Sequence, residues 1–217
     1  LSLGFPPRQS ISSPGQFASL AAPVGNAEVV FNVPSDDGIS ALLGKFWAAW
    51  HDVVNEPESS PARTALIHAT TTFTLRLQTA HAQLTQQRQD LNQKVTGIGE
   101  EINAKATAIA GLNLQIKQVA LNRDMANDRR DRRDVLLDEL SSLGSINYSE
   151  DETGSMSVYL GTHELVFGTS VRTINAVDDP LDPGMVKLQF AIDNDDVSVG
   201  SGQLRGVLDA RDVALPE

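Results

Sequence analysis

The chain has 217 residues, of which 41% are hydrophobic and 21% are charged, so it can bury a sizeable core and is globular rather than disordered. Its formal net charge of −11 argues against the basic surface that nucleic acids or anionic membranes would require. Cysteine is absent, which excludes disulfides, thiolate metal sites and cysteine nucleophiles.

Residues 1–26 are rich in proline, serine and glycine and keep no helical or strand period, which predicts an irregular leader. Pro6, Pro7 and Pro14 interrupt any apolar stretch of a secretory signal. The sequence also has no run of apolar residues long enough for a membrane-spanning helix. If the protein is exported, we therefore expect a route that cleaves no such signal.

A first helix is predicted to end at Asn55-Glu56-Pro57, with Ser35 or Asp36 as its N-cap. Its apolar residues recur at helical spacing, and both tryptophans of the chain are among them. We expect the helix to bury much of the aromatic surface of the chain. The residues of this predicted aromatic core are Phe46, Trp47 and Trp50.

A second, much longer helix is predicted from Ser60, as the N-cap, to about Asn122, with Pro61 at its first helical position. Its apolar residues alternate at spacings of four and three, the heptad pattern of a helix that packs along a seam. The helix would be about 90 Å long at roughly 1.5 Å per residue. The predicted packing seam consists of Leu84, Leu91, Val95, Ile98, Ile102, Ile109, Leu112 and Ile116.

Two other features of this helix bear on its packing. Its polar positions are rich in Gln and Asn, which predicts a surface that packs without strong electrostatic specificity. Gly97, Gly99 and Gly111 each weaken a helix by about 1 kcal/mol relative to alanine, so they indicate a bend or a close contact between helices.

A charged stretch from Asn122 to Arg133 leads into a third helical segment that ends before Gly144. The stretch either holds the turn between two helices or continues into the third helix without a break. Its arginines alternate with aspartates, which is typical of a solvated helical face with local ion pairs.

The apolar period then changes to two, which predicts strands over about residues 145–200. A hairpin is predicted through Gly161–Glu164, with another strand around Val171–Val177. Further strands are predicted at Val186–Ile192 and Val197–Val199. Apolar residues from Leu204 to Val213 then predict a final helix that stops at Pro216.

The fold class predicted from this order is α+β, with an elongated antiparallel helical bundle or coiled-coil body and an inserted β-rich domain. The predicted divisions are the leader at 1–26, a helical domain at 27–144 and 201–217, and the inserted domain at 145–200.

No constellation of catalytic or metal-binding residues is evident in the sequence. The four histidines, His51, His68, His81 and His163, are not spaced as metal ligands. Asp193–Asp196 lacks the later glutamate of a calcium loop, so we interpret it as a hairpin turn. No nucleophile elbow, phosphate loop or dinucleotide glycine motif occurs. We predict no enzyme activity, no catalytic residues and no cofactor.

Five stretches, in this order and spacing, resemble the family of flagellar hook-associated proteins that join the hook to the filament. They include an aromatic helix with an Asn-x-Pro break, a long amide-rich helix, and a charged segment before a Leu-rich helix. The stretches are Pro34–Ile67, Gln86–Ile116, Ala126–Ile146, Gly154–Gly168 and Leu204–Asp212.

The resemblance implies a structural, extracellular subunit of the bacterial flagellum, exported by the flagellar secretion apparatus. Its implied partners are the hook protein, the second junction protein, other copies of itself and an export chaperone for the full-length protein. Nucleic acid and membrane are not implied as partners.

Two departures from the family bear on assembly. Residues 1–26 match no segment expected of the family, in which this position should be helical. The apolar terminal segments that form the inner tube in such proteins are not evident here, so we expect the chain to stay mostly monomeric. An alternative function, a soluble coiled-coil adaptor, stays open at this stage and would be expected to lack the β region.

Overall fold

A computed structural model of the chain describes residues 38–119 and 123–215. Four features predicted from the sequence lie outside these ranges. They are the leader at 1–26, the N-cap at Ser35 or Asp36, the boundary at Asn122 and the stop at Pro216.

The helices follow the predicted order. They are α1 (Ile39–Asn55), α2 (Ser60–Val119), α3 (Arg123–Leu143) and α4 (Gln203–Asp209), which continues into a π-helical turn at Ala210–Ala214. The end of α1 at Asn55 is confirmed, and the amide of Glu56 bonds to the carbonyl of Asp52 there. None of the described helices is long and apolar enough to cross a bilayer.

The start of α2 differs from the prediction by one residue. Ser59, not Ser60, caps the helix, because its Oγ accepts the N–H of Ala62 at 3.4 Å and its carbonyl accepts that of Arg63 at 3.2 Å. Pro61 still lies in the first turn, where backbone N–H groups have no intrahelical partner, so its missing donor costs no helical hydrogen bond.

The charged stretch is helical from Arg123, so it continues into the third helix instead of forming a long turn. Gly144 follows α3 as predicted, but its φ is not positive, so it is not a left-handed cap. Its role is steric, because a Cβ there would lie 3.0 Å from Cδ1 of Leu160 and 3.2 Å from Cγ1 of Val199.

Within the described residues, six antiparallel strands form two sheets. One sheet has the order β1 (Ile146–Glu150), β2 (Met156–Leu160), β3 (His163–Phe167) and β4 (Ser170–Val171). The other pairs β5 (Ile174–Asp178) with β6 (Val186–Phe190). The predicted hairpin through Gly161–Glu164 is confirmed, with Leu160 opposite His163 and Gly161 at a φ of +60°.

Three details of the strand prediction are wrong. The single strand expected around Val171–Val177 is two strands, β4 and β5, in different sheets. Ile192 lies in a turn after β6 and is 75% exposed, because the chain reverses through Asn194 at a positive φ of 59°. Residues 197–199 are not a strand, and only an isolated bridge joins Asp196 to Gln189.

The contacts of the chain divide it into two compact units, and the division falls between Gln89 and Asp90 within α2. The larger unit contains both sheets, α3, α4 and the second half of α2. Its buried residues come from helices and strands alike, among them Val95, Leu140, Val158 and Phe190. The α+β class is therefore confirmed. The predicted boundaries of the inserted domain, at residues 145 and 200, differ from the division between Gln89 and Asp90. The inserted domain therefore stays a prediction.

Candidate functional site

The predicted packing seam is mostly buried. Six of its residues are buried in the larger unit, namely Leu91, Val95, Ile98, Ile102, Ile109 and Ile116, whereas Leu84 and Leu112 are half-buried. A strict heptad places Lys105 and Leu112 in the seam, but the buried neighbours are Ala106 and Asn113. A straight α-helix drifts by about 20° per heptad, so the buried stripe moves around α2.

Lys105 lies at the edge of this stripe and ties α2 to α3. Its Nζ lies 2.7 Å from Oε2 of Glu139 on α3 and 3.2 Å from Oε1 of Glu101, one turn earlier on α2. The hydrogen bond to Glu139, which outweighs the desolvation by burial, raises the pKa of Lys105. The lysine thus stays charged while its stem covers the apolar seam.

Asn113 is completely buried and holds the four-stranded sheet against α2. Its Nδ2 donates to the carbonyls of Met156 at 2.8 Å and Gly168 at 2.7 Å, and its Oδ1 accepts the N–H of Met156 at 3.1 Å. Arg133 of α3, also buried, donates to the same Oδ1 at 3.1 Å and pairs with Glu150 at 2.8 Å. One amide therefore links α2 to α3, to Met156 of β2 and to Gly168 just after β3.

Asn103 anchors the second sheet in the same way. Its Nδ2 donates to the carbonyl of Ile174 at 2.7 Å, and its Oδ1 accepts the N–H of Ile174 at 2.8 Å. The side chain thus bonds both backbone groups of the first residue of β5, as a neighbouring strand would.

Asn92 joins β6 and the C-terminal turn to α2. Its Oδ1 accepts the N–H of Val186 at 2.8 Å and a guanidinium N–H of Arg211 at 2.7 Å. Arg211 is buried, donates to the carbonyl of Val186 at 2.7 Å and pairs with Asp212 at 2.6 Å. The buried guanidinium of Arg211 therefore donates to Asn92, Val186 and Asp212.

The sequence indicated an amide-rich helix but not this role for its asparagines. Asn92, Asn103 and Asn113 make specific bonds to strand backbone. The predicted lack of strong electrostatic specificity is wrong for Asn92 and Asn113, which also bond to the buried guanidinium groups of Arg211 and Arg133. The available signal was an Asn at the edge of, or within, the apolar seam, where an unpaired amide would be costly.

Gly99 allows the second sheet to approach α2. A Cβ there would lie 3.0 Å from Cδ2 of Leu188, whereas Gly97 and Gly111 have nothing within 4 Å of that position. The predicted close contact is therefore between helix and sheet at Gly99, not between helices.

The acidic turn after β6 contacts basic side chains in or next to the strands. Arg172 pairs with Asp193, His163 lies 3.2 Å from Asp195, and Lys187 lies 3.0 Å from Asp196. Hydrogen bonds from Gln189 and then Lys187 lower the pKa of Asp196. Within the described residues no three His, Asp or Glu side chains converge as they would on a metal ion.

The smaller unit presents an apolar surface instead of a deep core. Phe46 of α1 stacks on Phe73 of α2 with ring centroids 6.3 Å apart and contacts Trp47 edge-on at 5.2 Å. Trp47 and Trp50 are nevertheless 52% and 47% exposed, so the predicted burial of both tryptophans is wrong within this chain. Helical spacing places them on one side of α1 but does not show that this chain covers them.

Large exposed apolar side chains are concentrated in this unit. They are Leu43, Trp47, Trp50, Val54, Ile67, Leu75 and Leu77, whereas the larger unit, which has more described residues, exposes six. Among the described apolar residues of the smaller unit, only Leu42, Ala49 and Ala80 are buried. Such an exposed apolar surface is typical of a protein–protein contact.

A family model described as the helical domain of the flagellar hook-associated protein FlgK matches residues 24–217. Flagellar hook-associated protein 1 of Escherichia coli is 24% identical over 192 residues, which are 84% of this chain and 35% of the relative. The Salmonella typhimurium protein of that name is 26% identical over 188 residues, or 82% and 34%. That of Bacillus subtilis is 25% identical over 143 residues, or 66% and 28%.

The chain thus spans about a third of the length of these curated relatives. Its fold is that of the flagellar hook junction protein FlgK from Burkholderia pseudomallei, with a TM-score of 0.77 and 24% identity. This match covers 92% of the chain and 38% of the solved one. Because the family model extends over nearly all of the sequence, the chain belongs to the family of flagellar hook-associated protein FlgK and carries its helical domain.

Proposed function

We propose that the protein is a structural subunit that joins the flagellar hook to the filament. The observation that carries this proposal is the family match over residues 24–217. The similar solved protein is itself described as a flagellar hook junction protein. The role requires no reaction, so we propose that the protein is not an enzyme.

The proposed partners are the hook protein, the second junction protein and further copies of the same subunit. We propose an extracellular location in the flagellum, export by the flagellar secretion apparatus without a cleaved signal, and a chaperone for the full-length protein. The exposed apolar surface of the smaller unit, with Trp47 and Trp50, supports burial against a neighbouring subunit in the assembled structure.

The coiled-coil adaptor is disfavoured by the β region. Strands β2, β5 and β6 bond to α2 through Asn113, Asn103 and Asn92, and a simple helical adaptor has no need of such strands.

Deletion of the full-length gene in the source organism tests the proposal. We expect cells that build hooks but carry no attached filaments, and we expect the full-length gene on a plasmid to restore them. Electron microscopy of the cells and swimming on soft agar are the measurements. Normal filaments in the deletion strain would overturn the proposed role.

A further inference from the structure

One edge of the smaller sheet is open. Thr173 accepts the N–H of Ala191 at 2.9 Å, and the N–H of Asp179 donates to Met185 at 2.9 Å. Antiparallel pairs alternate between hydrogen-bonded and non-bonded, so the odd-numbered residues of β5 bond to β6. The N–H and C=O groups of Ile174, Ala176 and Asp178 therefore face away from β6.

Only the first of these outward positions is matched by a partner among the described residues. Asn103 bonds both backbone groups of Ile174, as an adjacent strand would. No hydrogen bond in the described part of the chain reaches the backbone of Ala176, which is exposed. The Asn103 amide thus bonds the backbone of Ile174 as a neighbouring strand would, whereas the backbone of Ala176, the next residue that faces away from β6, has no such bond among the described residues.

A groove of about 470 Å³ lies beside this edge, and its size is that of an ordinary ligand site. The α2 side of the groove consists of Thr96, Gly99, Glu100 and Asn103, and the other side consists of residues 174–177 of β5. Gly99 has no side chain to narrow it. The groove and the open edge are therefore continuous.

The charge at the groove is negative. Glu100 lines it and is exposed, and Asp178 lies on the same edge of β5 two residues beyond Ala176. The net charge of −11 would repel a second copy of the chain. A segment with lysine or arginine side chains would instead complement both carboxylates.

We propose that the outer edge of β5 binds an extended, basic peptide segment of a partner protein as an added strand. Its backbone pairs with Ala176, continuing the pairing that Asn103 begins at Ile174, and its basic side chains reach Glu100 and Asp178. This is strand addition to an exposed sheet edge, with specificity from the charges. The proposal goes beyond the junction role and does not depend on it.

The test uses the 217-residue chain and a capped seven-residue peptide that alternates valine and lysine. Amide chemical shifts in NMR spectra follow the titration, and we expect the largest changes at Ala176 and Asp178. Two matched peptides serve as controls, one with glutamate in place of lysine and one with alternate backbone nitrogens methylated. Both are expected to bind at least about tenfold more weakly, because one loses the charge complement and the other its donors.

Two variants locate the site. Ala176→Pro removes an N–H that faces away from β6, where edge strands accept proline, and should weaken binding about tenfold. Glu100→Gln keeps the shape of the groove and should weaken binding about threefold, whereas the control Glu101→Gln, adjacent on α2, should not. A melting curve of each variant confirms that it is folded.

Any of four results would overturn the proposal. One is no binding of the lysine peptide at millimolar concentration, and another is equal binding of the methylated peptide. The third is a dimer, seen by light scattering, that Ala176→Pro abolishes, because the edge would then pair with a second copy of the chain. Unchanged binding by the folded Ala176→Pro and Glu100→Gln variants would equally contradict it.

Discussion

At the scale of single residues, buried amides and paired charges hold the sheets on α2. Asn113 is the clearest case, because its buried amide bonds to partners from β2, the loop after β3 and α3. A hydrogen bond contributes little net free energy when water can replace it, but an orphaned buried donor or acceptor is costly. The asparagines of α2 therefore bond to the first residues of β2, β5 and β6 and help to specify where these three strands begin.

Asn113→Ala should destabilise the chain by about 2–4 kcal/mol, because it leaves the N–H of Met156 and a buried guanidinium N–H of Arg133 without their acceptor. Urea unfolding followed by circular dichroism measures the change. Gln93→Ala, at an exposed position of the same helix, is the matched control and should lie within about 0.5 kcal/mol of the parent. Equal stability of both variants would contradict the anchoring role.

Asp151 makes the turn between β1 and β2 sensitive to acid. The hydroxyl of Thr153 donates to its Oδ1 at 2.7 Å and the N–H of Ser155 at 2.9 Å, and these bonds lower the pKa of Asp151 below its ordinary 3.8. A depressed pKa contributes stability that is present above pH 3.8 and is lost as the pH falls through the lower folded value.

Asp151→Asn should therefore flatten the fall of melting temperature as the pH drops below about 4, because the amide keeps an acceptor oxygen but has no proton to take up. Melting curves between about pH 2.5 and 5 measure the slope. A variant whose slope equals that of the parent would show that the native hydrogen bonds to Asp151 do not act through its charge.

At the scale of elements, the packing seam of α2 supplies much of the buried core of the larger unit. Val95, Ile102 and Ile109 are completely buried, and Lys105 bridges to α3 at the edge of the stripe. The stripe drifts because α2 keeps the ordinary helical period, whereas a strict heptad would require supercoiling.

Ile102→Asp should destabilise the chain by about 4 kcal/mol or more, because a carboxylate would replace a completely buried side chain without a partner. Thermal melting followed by circular dichroism is the measurement. Ala104→Asp adds the same charge at an exposed position two residues away and should cost less than about 1 kcal/mol. The buried seam would be disproved if the two variants melted alike.

The entry and exit of the β segment lie side by side. A Cβ at Gly202, whose φ is +92°, would lie 2.7 Å from Cα of Gly144, so the two backbones touch. This geometry supports the predicted insertion of residues 145–200 into the helical body, since both ends of the insert meet at one point.

Replacing residues 145–200 with a short Gly/Ser linker should leave a helical protein with a lower melting temperature. The linker has almost no distance to span, but Asn92, Asn103 and Asn113 lose their backbone partners. Far-UV circular dichroism and a melting curve test both points. Complete loss of helical signal would show that the β segment is required for the helices to fold.

At the scale of the whole molecule, the net charge and the exposed apolar surface have opposite effects on association. The charge of −11 favours solubility, whereas the smaller unit exposes both tryptophans and five large aliphatic side chains. Side chains of this kind stabilise an assembly more than the free chain, because their burial is completed only by a neighbour.

The double variant Trp47→Ser/Trp50→Ser should cost the free chain only about 1–2 kcal/mol, since about half of each ring is already in water. In the full-length protein it should prevent filament attachment, scored by electron microscopy of complemented cells. Leu181→Ser, at a 93% exposed position in the turn between β5 and β6, is the control and should leave attachment intact. Normal filaments with the double variant would remove these tryptophans from the proposed interface.

The local pattern of the sequence determined the class of the fold, the order of the helices and the tight turn at Gly161. It did so because apolar period, turn residues and capping residues act over a few neighbours along the chain. The end of α1 at Asn55 and the pairing of β2 with β3 follow from such neighbours alone.

The tertiary structure alone decided which side chains of a given type are covered. Trp50 and Ile102 both lie at regular helical spacing, yet one is 47% exposed and the other is completely buried. The tertiary structure also places β4 and β5 in different sheets, although they are close in the sequence. It pairs Asn103 with Ile174, which lie 71 positions apart in the sequence. Burial and polar pairing depend on what another segment brings to the surface, and a helical or strand period does not contain that information.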